Sequence, residues 1–138
     1  MNVQTFDSAA ARQALVDCQV RVNDVTDKHI QAAYRRVPRE AFAPAGLGAA
    51  AYSETDVEVG PGRWLWRARD SSKLLQGLEP QAGQTALVIG GGLGYIAAIL
   101  AEIGLKVTAL EADEGRAKAM GEALKAAGFS AVEVLAGD

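Results

Sequence analysis

An apolar run that breaks into glycines and restarts as a helix constrains this chain more than any other feature. Ala86-Leu-Val-Ile-Gly-Gly-Gly-Leu-Gly-Tyr95 is followed by Ile96, Ala97, Ile99, Leu100 and Ile103. The first residues read as a buried strand, and the later spacing reads as a helix. Between them, Gly90, Gly92 and Gly94 let the backbone turn sharply and approach a ligand closely. The helix opening near Tyr95 aims unpaired N–H groups and the positive end of its dipole at the same place. A second apolar strand, Val107-Thr-Ala-Leu110, ends in Glu111, where an acid can take the two hydroxyls of a ribose. The order strand, glycine turn, helix, strand, acid points to a bound nucleotide cofactor.

Spacing separates the cofactor classes. The dinucleotide fingerprint G-x-G-x-x-G requires its third glycine where this chain has Tyr95, and what stands here is G-x-G-x-G. That pattern resembles motif I of the S-adenosylmethionine-dependent methyltransferases, in which the turn passes beside the amino-acid part of the cofactor. Further residues narrow the resemblance: Val37-Pro-Arg-Glu-Ala-Phe42 with Pro44, Ala51-Tyr52, and the Gly83 turn before the motif strand. Leu15-Val-Asp-Cys-Gln-Val-Arg21 and Val25-Thr-Asp27 extend it towards the amino terminus. The chain is similar to the protein-L-isoaspartate O-methyltransferases, which methylate the carboxylate of isomerised aspartates. The resemblance implies S-adenosylmethionine held at Gly90, Gly91, Gly92, Leu93, Gly94, Glu111 and Asp138, with Asp138 approaching the adenine amino group. It also implies a protein or peptide substrate carrying isoaspartyl residues.

The chain departs from that family in the segment leading to the motif strand. Counting forward without a gap from Ala51-Tyr52, the family's Gln-Thr-Ile-Ser-Gln-Pro loop falls on Arg63-Trp-Leu-Trp-Arg-Ala68. Trp64 and Trp66 therefore take the positions of the two hydroxyl residues, and no catalytic residue is assigned. An indole has one N–H donor and no acceptor, and its bulk fills space that a peptide carboxylate needs. Val88 replaces the acid usual two residues before the first glycine, and Leu93 replaces a small polar residue. These departures predict weak or absent methyl transfer. Two other readings stay open: a degenerate member binding cofactor or protein without catalysis, and a dinucleotide-binding module of unrelated chemistry.

The 138 residues fit one structural unit, divided into a helical and irregular extension over 1–62 and a methyltransferase portion over 63–138. Ser8 can cap a first helix through Leu15 and Cys18, and Thr26 or Asp27 a second that Pro38 ends. The stretch 44–62 reads as irregular, with a short strand at 57–59. Asp70 or Ser71 can cap a short helix closed by Gly77. Strands follow at 85–89, 106–110 and 132–135, with helices from Tyr95 and over 113–127. The expected fold is α/β, the first half of a Rossmann-like three-layer methyltransferase domain with about three parallel strands. The apolar first strand then has an unpaired edge, so the chain is either a piece of a longer one or covered by another copy; a homo-oligomer is expected.

A net charge of −3 gives no electrostatic reason to expect nucleic acid or an anionic membrane as partner. The opening Met-Asn-Val-Gln-Thr-Phe-Asp lacks the basic start and apolar run of a signal peptide, so a cytoplasmic location is expected. Cys18 is the one cysteine and His29 the one histidine, which excludes an internal disulfide and a Cys/His metal cluster. His29 reads as a surface residue, and Tyr95 as a packing residue. Glu111 reads as a ribose ligand or a solvated strand-end carboxylate. Trp64 and Trp66 read as packing for an extended segment or as stacking groups. Arg63, Arg67 and Arg69 read as a carboxylate-binding group or a solvated basic loop.

Overall fold

A computed structural model describes residues 6–138; the first five residues, part of the opening segment weighed as a signal peptide, lie outside the described residues. Helix α1 (Ser8–Leu15) is capped by Asp7, whose side chain accepts from the Ala10 N–H at 3.0 Å. Asp7, not Ser8, is thus the cap, because it stands one residue outside the first helical turn. The chain continues as a widened turn (Val16–Val20) and a tight turn (Arg21–Asn23), which Asp24 stops at φ 65°. Helix α2 (Lys28–Arg36) is capped by Asp27 and ends before Pro38. Its apolar side, Ile30, Ala33 and Tyr34, is buried.

Strands β1 (Val57–Gly60) and β2 (Arg63–Leu65) form an antiparallel hairpin, so the 62/63 division falls at its turn. The sequence reading gave the β1 position as a strand and missed β2. Helix α3 (Ala68–Leu78) starts earlier and ends later than expected. Arg67, not Asp70 or Ser71, precedes it, and no side chain caps it. Gly77 lies inside the helix, which stops at Glu79 with φ 50°, directly before Pro80. A residue preceding proline is disfavoured in the helical region, and that clash closes α3.

The remaining elements alternate: β3 (Thr85–Ile89), α4 (Tyr95–Ile103), β4 (Lys106–Glu111), α5 (Glu114–Ala126) and β5 (Glu133–Ala136). The three strands are parallel in the order β3-β4-β5. Two right-handed crossovers stepping in the same direction place α4 and α5 on one face of the sheet. On that face Val107, Ala109 and Glu111 are buried, with Met120 and Leu124 of α5 and Ile99 of α4. Helix α4 is apolar on several sides because α2 packs along its outer surface. Tyr95 stands between Tyr34 (ring centroids 5.8 Å apart, edge to face) and Phe42 (5.9 Å), with the buried Arg39 guanidinium 4.8 Å above its ring.

The opposite sheet face is different. Leu87 and Ile89 are 60% and 73% exposed, and Leu135 lies on the same side. Among the described residues β3 pairs with β4 alone, so its other edge is free.

Candidate functional site

The parallel strands end together, and their carboxyl ends carry the site. The Gly90 N–H continues the β3–β4 ladder to the Leu110 carbonyl at 2.8 Å, after which the chain turns away. Gly90, Gly92 and Gly94 take φ of 68°, 61° and 101°, a region that side chains resist. A Cβ at Gly94 would lie 2.9 Å from Leu124 Cγ and 3.1 Å from Met120 Cγ, so the last glycine of the turn packs directly against α5. No side chain caps α4, which leaves the N–H groups of its first turn for a ligand.

Glu111, the last residue of β4, is 1% exposed. The solvated reading of this residue therefore gives way. Its carboxylate accepts from the Gly92 N–H at 3.0 Å and the Ala112 N–H at 3.1 Å, which ties the acid to the glycine turn. The Arg63 Nε–H donates to both carboxylate oxygens, at 3.1 and 3.0 Å. Burial alone pushes the Glu111 carboxyl up, but hydrogen bonds from Arg63, Ala112 and Gly92 outweigh it and hold the group below the usual carboxylate range. The Glu111 carbonyl takes the Gly137 N–H at 2.9 Å, which sets the exposed Asp138 at the same end of the sheet.

The hairpin lies over this turn. Val59 is the nearest neighbour that a Cβ at Gly92 would meet, at 3.1 Å, and the Arg116 Nη2–H donates to the Pro61 carbonyl at 2.8 Å. Between hairpin and Glu111 the remaining space is about 70 Å³. On the other side of the turn opens a cleft of about 630 Å³, lined by Gly90, Gly91, Gly92, Leu93 and Val88, with Trp64, Trp66 and Ile89 around it. Both indoles are 52% exposed, so neither is simply packed away. The Trp66 carbonyl accepts from Arg39 Nη2 at 2.8 Å.

The three arginines of the hairpin segment separate. Arg63 serves Glu111, whereas Arg67 faces Asp70 at 3.1 Å and Asp56 at 3.7 Å, and Arg69 approaches Asp70 at 4.0 Å. Sequence reasoning missed Arg63 as the partner of Glu111, gave Arg39 no role beyond its place in a family motif, and missed Arg116. These contacts cross 48, 55 and up to 27 positions of chain, and no local pattern announces them. Tyr95 packs, as its sequence reading had it, and His29 is exposed.

Residues 10–138 match the family model described as protein-L-isoaspartate(D-aspartate) O-methyltransferase. The chain belongs to this family. Among curated relatives, protein-L-isoaspartate O-methyltransferase 1 of Rhodopseudomonas palustris is 35% identical over 130 residues, which cover 94% of this chain and 53% of the relative. The protein-L-isoaspartate O-methyltransferase of Methanoculleus marisnigri is 33% identical over 127 residues, covering 92% of this chain and 58% of the relative. This family member thus spans about half the length of the curated relatives it matches. Its fold agrees with a solved protein-L-isoaspartate O-methyltransferase at a TM-score of 0.79 and 20% identity, over 92% of this chain and 42% of the other. It agrees also with the Plasmodium falciparum β-aspartate methyltransferase in complex with S-adenosyl-L-homocysteine, at a TM-score of 0.72 and 18% identity, over 86% of this chain and 57% of the other.

Proposed function

We propose that this protein is a protein-L-isoaspartate O-methyltransferase-like protein, whose residues 63–138 carry the S-adenosylmethionine site and whose residues 1–62 form a helical and irregular extension. The observation that carries the reading is the bond between the Gly92 N–H and the buried Glu111 carboxylate, which brings turn and acid into one site. The residues fit the cofactor. Gly90, Gly91, Gly92 and Gly94 present backbone without side chains to the amino-acid part, and Leu93 adds an apolar side chain to the cleft wall. Glu111 accepts from ribose hydroxyls, and Asp138 stands at the same sheet end for the adenine. The cleft of about 630 Å³ falls in the range of small-molecule sites, roughly 300–1,000 Å³.

Bound there, the cofactor would supply an electrophilic methyl group for a peptide carboxylate. The chain's own part is alignment: the glycine turn, with Glu111 bonded behind it, holds the ligand, and the half-exposed Trp64 and Trp66 shape the cleft wall. Such a transfer depends on orientation and needs little acid–base chemistry. The dinucleotide reading loses ground because Tyr95 is buried against Tyr34 and Phe42, where that fingerprint needs a glycine. We place the protein in the cytoplasm, acting on isoaspartyl proteins or peptides. No helix among the described residues is long and apolar enough to cross a membrane.

Titration calorimetry with S-adenosylmethionine and S-adenosyl-L-homocysteine tests the reading. Wild-type protein should bind, and Glu111→Ala should bind at least tenfold more weakly, on the order of one lost charge-assisted hydrogen bond, while still folding. Equal affinity in the two proteins would remove Glu111 from the site.

A further inference from the structure

Glu111 is shared by two claimants. A ribose-binding carboxylate needs open acceptor positions, yet here Arg63 Nε reaches both oxygens, at 3.1 and 3.0 Å, from a hairpin folded over the turn. The pair is sheltered, with no exposure of the Glu111 side chain and 28% of that of Arg63. From Glu111 the guanidinium extends along the turn. A Cβ built on Gly90 would find Arg63 Nε, Cζ and Nη2 as its nearest neighbours, at 3.5, 3.7 and 3.8 Å. Arg63 therefore lies along the line that joins the ribose acid to the first glycine.

Two of the acids beside this line are paired. Glu111 is matched by Arg63, and Asp113 at the start of α5 is matched by Arg116 at 3.4 Å. Removing Arg63 would make the surroundings of the nucleoside position more negative by one charge. S-adenosylmethionine and S-adenosyl-L-homocysteine differ by one methyl group and by one positive charge on sulfur, so they report on that field directly.

We propose that Arg63 sets the charge selectivity of this site: paired with Glu111, it cancels the attraction of the carboxylate for a sulfonium nucleoside, so the site prefers the sulfonium over the neutral thioether less than an unpaired Glu111 would. The inference rests on the cofactor reading above. A unit charge within about 8 Å in a partly solvated cleft changes affinity on the order of tenfold. Because both ligands carry the same adenosine, any disorder that a substitution brings to the hairpin weakens both alike and cancels in their ratio.

The experiment is calorimetric titration of wild-type, Arg63→Gln and Arg63→Lys protein with each of the two ligands and with adenosine. Circular dichroism checks that each variant folds. Arg63→Gln should shift the ratio of affinities towards S-adenosylmethionine by about tenfold, an effect that fades as salt is added, while Arg63→Lys keeps the wild-type ratio. A ratio in Arg63→Gln within about twofold of wild type overturns the charge selectivity and leaves the cofactor site standing. Absence of binding of all three ligands by every folded variant and by wild type overturns both.

Discussion

Replacing Gly94 by alanine asks two things of the structure at once. The residue sits at φ 101°, where an alanine is strained by about 1–2 kcal/mol. The added methyl also lands 2.9 Å from Leu124 Cγ and 3.1 Å from both Leu124 Cδ1 and Met120 Cγ. Leu124 and Met120 are 1% and 0% exposed, so neither side chain has solvent to swing into. Forcing a methyl into such a core costs about 1–3 kcal/mol. The sum, about 2–5 kcal/mol, is a large share of the roughly 5–15 kcal/mol that holds a domain together. Thermal unfolding followed by circular dichroism should show Tm lowered on the order of 10 °C. Gly121→Ala in α5 is the control. Nothing lies within 4 Å of its Cβ position, so it should gain about 0.5–1 kcal/mol from helix propensity. A Gly94→Ala protein melting within about 2 °C of wild type would refute the claim that packing of the turn against α5 requires glycine there.

Acid should weaken the fold through Glu111. Its carboxyl sits below the usual range when folded, so the unfolded chain binds the proton more readily. The stabilisation is present above about pH 4 and is lost as pH falls through the folded-state value; urea titrations of wild type and Glu111→Gln should converge as pH drops from about 6 to 3. The bare sheet face should drive self-association of the 138 residues, and Leu87→Glu with Ile89→Lys should reduce it in light scattering after size exclusion, with Tm little changed. Methyl transfer by these residues to an isoaspartyl peptide, read as labelled methanol, should fall at least a hundredfold below an active family member, the usual order of loss for one missing donor. Turnover within about tenfold would make the tryptophan segment a tolerated variant.

What the sequence disclosed and what it hid divide along range. The three parallel strands, the glycine turn and α4 were legible because apolar runs, helical spacing and glycine placement act within a few residues. Strand β2 was not: Arg63-Trp64-Leu65 is three residues long, and its pairing with β1 gives those side chains their direction. The end of α3 was misplaced at Gly77, although the Glu79-Pro80 junction carries the stronger physical signal. Glu111 was found by its place after a strand, but its occupant came from a hairpin 48 residues away, a pairing that only the folded chain creates.

Arg39 gives that hairpin its footing. One buried guanidinium donates to the Ala51 carbonyl through Nε and to the Trp66 carbonyl through Nη2. It thereby ties two points of the backbone to a single planar group, as a crosslink does, and the segment 51–66 becomes a closed ring on the protein. The conformational cost of closing such a ring grows only with the logarithm of its length, so an insertion within it should cost little in closure entropy. Lysine at position 39 cannot do the same, since an ammonium is one point and the ring needs two. The hairpin is thus held at its base like a loop on a drawstring, and held a second time near its tip, where Arg116 donates to the Pro61 carbonyl and Arg63 to Glu111.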